Sequence, residues 1–253
     1  MRMKLLAAAT AVLSITGPAL AADLPSRGAP PLYVPPPPVL TWTGCHVGGN
    51  FGYGWQKNHA YDPNVSADAG TDTGSGLVGG GQLGCDYQVG SFVLGVQGMF
   101  DGAEVRGSHI DPPPSGTSPS DVLGFNTRWL ATETGRIGYA VLPQALVYFK
   151  GGAAEARLGY SEVDPTIPFS GAASVTRIGW TIGGGVEYAI TSNWSIFAEY
   201  DYVDFGSHNT TLTYTPTVFL YSYKETQNLQ TVLVGVNYKF GWDAPPAPVV
   251  AKY

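Results

Sequence analysis

Asn228-Leu229-Gln230-Thr231-Val232-Leu233-Val234-Gly235-Val236-Asn237-Tyr238-Lys239-Phe240 is the stretch that decides the fold. Side chains alternate across a β-strand with period two, so Val232, Val234, Val236, Tyr238 and Phe240 share one face. Thr231, Leu233, Gly235, Asn237 and Lys239 share the other. One side is apolar and ends in aromatics; the other is mostly small or polar. Such a strand separates a greasy environment from a wet one, as the wall of a membrane-spanning β-barrel does.

Working outward, seven earlier segments repeat the design. The first runs from Trp42 to Gln56, with Cys45, Val47, Phe51, Tyr53 and Trp55 against His46, Gly48, Asn50, Gly52 and Gly54. The second runs from Gly76 to Val89, the third starts at Phe92, the fourth spans Val122 to Val141 and the fifth Ala145 to Tyr160. The sixth, Ser174 to Ile190, sets Trp180, Ile182, Val186, Tyr188 and Ile190 against Thr181, Gly183, Gly185 and Glu187. The seventh starts at Trp194. Each is longer than the about 9–11 residues a tilted strand needs to cross a bilayer. Short turns near Gly90, Pro143 and Ser192 alternate with long polar connections at Lys57–Ser75, Arg106–Asp121, Ser161–Ala173 and Ser207–Gln227. An even strand number with short turns at one end and long loops at the other predicts an all-β fold: a transmembrane antiparallel β-barrel of eight strands, up-and-down.

Composition agrees. Only 13% of the 253 residues are charged and 12% are aromatic, with 34 glycines. Mean hydropathy is only +0.02, too polar for spanning helices, because every second strand residue faces the lumen. A soluble lipocalin-like barrel would point its apolar face inward and its charges outward; the glycine and tyrosine density, low charge and strand length favour the inverse.

Residues 1–21 read as a signal peptide: Arg2 and Lys4, an apolar run from Leu5 to Ile15, then Ala19-Leu20-Ala21. Their removal takes 13 basic residues to 11 against 19 acidic, a net charge of −8. An acidic chain without a basic run argues against nucleic acid as partner. Residues 22–41, with prolines 35 to 38 in succession, read as a Pro-rich periplasmic linker, 42–240 as the barrel, and 241–253 as a Pro-rich tail. Linker and tail are read as spacing, with peptidoglycan contact the sharper alternative. Bilayer location makes outer-membrane lipid and lipopolysaccharide the expected surroundings.

The lumen of an eight-stranded barrel is just wide enough to be filled by side chains. Its candidate charges are Arg136, Lys150, Arg177, Glu187, Glu199 and Asp201, expected to form an ion-pair network. Antiparallel pairing puts Arg136 opposite Lys150, with Glu187 placed to neutralise both. This predicts a structural barrel that presents surface loops and has a plugged or very narrow lumen. A porin-like small-solute channel is the alternative. Glu133 falls on the lipid face, where a bulge would turn it inward.

His59, His109 and His208 lie in three predicted loops and are candidate ligands for haem or a metal, but without ligand spacing. Gly74-Ser75-Gly76-Leu77-Val78-Gly79 fits a dinucleotide fingerprint in letters only, since it precedes a strand. No catalytic residue, metal site or cofactor is expected. Cys45 and Cys85 fall within one residue of facing each other, leaving a cross-strand disulfide and two free thiols both open.

Several motifs carry a family resemblance: Trp42-Thr43-Gly44 with Val47-Gly48-Gly49-Asn50-Phe51-Gly52-Tyr53, Gly135-Arg136-Ile137-Gly138-Tyr139-Ala140, and Trp180-Thr181-Ile182-Gly183-Gly184-Gly185-Val186-Glu187-Tyr188. Ala198-Glu199-Tyr200, Tyr202-Val203-Asp204-Phe205-Gly206 and Val234-Gly235-Val236-Asn237-Tyr238-Lys239-Phe240 extend it over roughly residues 40–240. The chain resembles the alphaproteobacterial outer-membrane immunogenic, porin-like protein family, relatives of the outer membrane protein A-like eight-stranded β-barrel. The resemblance implies insertion by the barrel-assembly machinery, with Val236, Tyr238 and Phe240 resembling its recognition signal. Family barrels usually stop at the terminal Phe, whereas here a tail follows.

Overall fold

The computed structural model describes residues 40–110 and 120–240, except 167 and 217. The segments expected as signal peptide and tail, and nearly all of the expected linker, lie outside the described residues. Eight strands follow one another: β1 (Gly44–Asp62), β2 (Ala67–Val89), β3 (Phe92–Ile110), β4 (Val122–Leu142), β5 (Ala145–Asp164), β6 (Phe169–Ala189), β7 (Trp194–Thr215) and β8 (Leu220–Phe240). Each pairs antiparallel with its sequence neighbour, and β8 closes on β1. Closure leaves no unpaired edge for hydrocarbon to meet.

The apolar faces look outward. Ile182 is 55% exposed, whereas Glu187 and Glu199 are 4% and 3% exposed and point into the lumen. Two aromatic rings bound the lipid-facing band. At the periplasmic end Phe92 meets Tyr139 with ring centroids 5.3 Å apart, and Trp194 meets Tyr238 at 5.0 Å. At the outer end Tyr53 meets Trp55 at 5.3 Å, Phe100 meets Trp129 at 5.6 Å and Trp180 meets Tyr202 at 5.7 Å. Trp129 and Tyr139 are ten residues apart; at about 3.3 Å per residue and a tilt of about 40°, that spans about 25 Å, the height of an outer-membrane apolar band.

The strands do not stop at the outer ring. The connections predicted at Lys57–Ser75, Ser161–Ala173 and Ser207–Gln227 are largely strand: β1 runs to Asp62 and β2 begins at Ala67, β5 runs to Asp164 and β7 to Thr215. In Arg106–Asp121, β3 runs to Ile110 and residues 111–119 lie outside the described residues. Above the membrane both sheet faces can be polar, which erases the apolar alternation that marks a strand in sequence. The pairing continues because inward positions still pack, with Ala60, Ala69, Leu123, Leu212, Tyr214 and Tyr223 forming a buried cluster.

Glu133 also differs from expectation. The irregularities in the β4–β5 pairing fall at Thr127/Trp129 and Ala140/Leu142 and leave the stretch between them in register, opposite Gly98 and Ala153. No bulge turns Glu133 inward, and it stays exposed on the lipid-facing wall.

Candidate functional site

Inside the lower half of the barrel the inward positions of all eight strands meet. Arg136 on β4 donates from Nε to Asp86 Oδ1 at 2.7 Å, from Nη2 to Asp86 Oδ2, and from Nη1 to Glu187 Oε2 at 3.1 Å. Its guanidinium carbon lies 5.0 Å from the centroid of the Tyr148 ring. His46 Nδ1 on β1 stands 3.4 Å from Asp86 Oδ2. Glu187 also accepts from Ser195 Oγ at 2.6 Å and Asn237 Nδ2 at 2.9 Å.

A second centre surrounds Lys150 on β5. Its Nζ lies 2.6 Å from Glu199 Oε1 and 3.1 Å from Asp201 Oδ2, while Tyr148 donates its hydroxyl to Glu199 Oε2 at 2.8 Å. A polar chain then crosses to the opposite wall. Gln82 donates to Asn237 Oδ1 at 2.9 Å, and Asn50 donates to Gln82 Oε1 and to Asp101 Oδ1, each at 2.9 Å. Close backbone approach makes room for these groups. A Cβ on Gly95 would lie 2.0 Å from Asp86 Oδ1, and one on Gly183 would lie 1.9 Å from Asp201 Oδ1.

Arg136 and Lys150 are direct cross-strand partners. Glu187, however, takes Arg136 alone. The β6 residue opposite Lys150 is Gly183, which has no side chain, so Lys150 reaches past it to β7. Arg177 does not join the network. It lies further toward the outer end of β6, where it donates to Asn209 O at 3.1 Å and Thr210 Oγ1 at 2.8 Å. Asp86 and His46 are the members the sequence reading missed. Asp86 sits on the polar face of its strand, and only the register shows that it meets Arg136.

Above the charged layer the lumen is mostly apolar, interrupted by a few buried polar groups such as the bonded pair Gln56 and Thr127. Val78, Met99, Val105, Phe125, Leu130, Leu158, Val203, Phe205, Leu229 and Leu233 form one buried cluster. Lys150 Nζ reaches its lower edge, 3.3 Å from Met99 Sδ. Below, Trp42, Val93, Leu146, Tyr148 and Ala189 pack at the periplasmic end.

The predicted loop histidines sit on strands, on three different walls. His59 on β1 is exposed, 3.3 Å from Asp68; His109 on β3 bonds Asp72 and Ala69 O; His208 on β7 pairs across with Glu225. They do not converge, because strand extension replaces the flexible rim that convergence needs. Among the described residues no group of three or more His, Cys, Asp or Glu side chains is arranged to hold a metal. In the same outer region burial pushes the Glu225 carboxyl up to about 7, against the hydrogen bond from Asn58. Cys45 and Cys85 face each other across β1 and β2 and are disulfide-bonded. Val236, Tyr238 and Phe240 all lie on the lipid side of β8.

Comparison with known proteins supplies the context. The family described as "Outer membrane protein beta-barrel domain" matches residues 7–240. A 31 kDa outer-membrane immunogenic protein of Brucella melitensis is 34% identical over 220 residues, covering 81% of this chain and 86% of that protein. A 25 kDa outer-membrane immunogenic protein of Brucella abortus is 27% identical over 232 residues, covering 91% and 94%. Among solved structures, the outer membrane protease OmpT of Escherichia coli aligns with a TM-score of 0.49 at 9% identity, over 78% of this chain and 97% of that one. The outer membrane protein OprG of Pseudomonas aeruginosa aligns with a TM-score of 0.44 at 11% identity, over 78% and 96%.

Proposed function

The chain belongs to the outer membrane protein beta-barrel family, and from that premise we propose that it is a non-enzymatic structural barrel with a closed lumen. Its work is to stabilise the envelope and to carry a sheet-built wall outward from the cell surface. The observation that supports this reading most is the stacking of a buried ionic layer beneath a buried apolar one. Ions crossing the apolar layer would lose most of their hydration, with only a few neutral side chains such as Gln56 and Thr127, already bonded to each other, to replace it. Solutes would also have to break Arg136 and Lys150 from their carboxylates, leaving uncompensated buried charge. On this reading Val236, Tyr238 and Phe240 act as the signal for the barrel-assembly machinery, and the outer tip around Asn64 is the surface seen from outside.

Liposome swelling with arabinose tests the closed lumen. Vesicles holding the purified protein should swell no faster than empty ones, and swelling graded by solute size would replace this reading with a porin.

A further inference from the structure

Just above the outer aromatic ring, the external wall of β3 to β6 carries a recess of about 700 Å³. Arg106 and Arg128 line it, and its floor is made of small residues such as Gly124, Gly159 and Ala172. Arg128 occupies the bulge beside Trp129, so it is released from the ladder at the level where the lipid-facing band ends. Arg106 stands opposite Asn126, three residues further out along β4 than Trp129. Both arginines are exposed. Among the described residues neither guanidinium belongs to an ion pair, although Glu104 lies two positions from Arg106 on the same face. Arg157, opposite Trp129, adds a third guanidinium at this height, spent on Ser174 and Thr176.

Composition alone does not produce this arc. The chain carries a net charge of −6, and the carboxylates of Asp62, Asp72, Glu162, Asp164 and Glu225 are buried rather than displayed beside it. Two guanidiniums that form no ion pair among the described residues, at headgroup height over a floor of small residues, suit an anion that accepts forked hydrogen bonds. Phe100, 58% exposed, and Trp129 continue directly beneath as lipid-facing surface. The ligand is therefore anionic above and apolar below.

We propose that this recess, with Arg106 and Arg128 as its two donors, is a binding site for the phosphate headgroup of an outer-leaflet glycolipid. The proposal rests on the outer-membrane placement and is independent of the closed lumen, so liposome swelling could fail while this site stands.

The test uses the full-length barrel in detergent, with native mass spectrometry and titration of bisphosphorylated lipid A, of its dephosphorylated form, and of inorganic phosphate. The variants are the double R106Q/R128Q, the conservative R106K/R128K, and Lys224→Gln as a surface charge outside the recess. A heat-dependent gel shift verifies that each is folded. At about tenfold per lost charge-assisted contact, R106Q/R128Q should weaken lipid A binding about a hundredfold. R106K/R128K should recover part of it and Lys224→Gln should match the native protein. Dephosphorylated lipid A should bind the native barrel as weakly as lipid A binds the double variant. Undiminished binding by R106Q/R128Q, or equal binding without phosphates, would overturn the site. Displacement by inorganic phosphate at the concentration of the lipid would overturn the lipid assignment in favour of a soluble anion.

Discussion

Lys150 Nζ lies 2.6 Å from Glu199 Oε1, and neither side chain reaches solvent. A charge removed from one side of such a pair leaves the other buried alone, which costs more than the pair contributes when intact. Lys150→Met should therefore destabilise the barrel by about 3–5 kcal/mol. Combining Lys150→Met with Glu199→Gln should cost less than the two single changes summed. Urea unfolding in lipid vesicles, followed by tryptophan fluorescence, measures the coupling; simple additivity would mean that the two groups do not share a charge balance.

Glu133 sits in mid-band on the outer wall, flanked across the ladder by Gly98 and Ala153. Exposing a carboxylate to lipid costs up to about 2 kcal/mol. Glu133→Leu should raise stability by about 1–2 kcal/mol in the same unfolding assay. A loss of stability would show that a partner holds this carboxylate in the membrane.

Glu225 faces Asp72, which raises its pKa further, and His109 and Arg177, which oppose the rise. Its folded value of about 7 lies above the usual 4.5. Between those values the folded barrel keeps a proton that the unfolded chain has released, so stability falls as pH rises through that window. The outer wall should be more stable near pH 5 than near pH 8, and Glu225→Gln should flatten the dependence. Hydrogen exchange of β8 amides against pH checks both, and a slope of the opposite sign would contradict the burial account.

The Cys45–Cys85 bond joins residues 40 apart in sequence. Closing a loop of that size stabilises by about 2–4 kcal/mol through the unfolded chain. Cys45→Ser with Cys85→Ser should lower the urea midpoint while leaving the heat-dependent gel shift in place. An unchanged midpoint would show that the ladder alone fixes this end of the barrel.

Where each strand separates lipid from lumen, the sequence was enough. The alternation at Trp180–Ile190 and Val232–Phe240 placed the membrane band, and counting through the turn at Pro143 paired Arg136 with Lys150. Four things were not legible. Strand beyond the outer ring, such as Ala67–Gly76, is small or polar on both faces and looks like loop. Asp86 meets Arg136 only through closure of β2, β3 and β4 into one register. Gly183 opposite Lys150 decides which acid the lysine takes, and an absent side chain leaves no charge pattern to read. Arg106, Arg128 and Arg157 lie on three strands, so no basic run announces their common height.

Planar-bilayer conductance of the purified full-length barrel tests the closed lumen most directly. The ionic layer around Arg136 and Lys150 and the apolar layer above it predict a silent bilayer in molar salt. Lys150→Met combined with Phe125→Ala and Leu233→Ala should give brief, small openings. A steady ohmic current from the native protein, unchanged in that variant, would contradict the account.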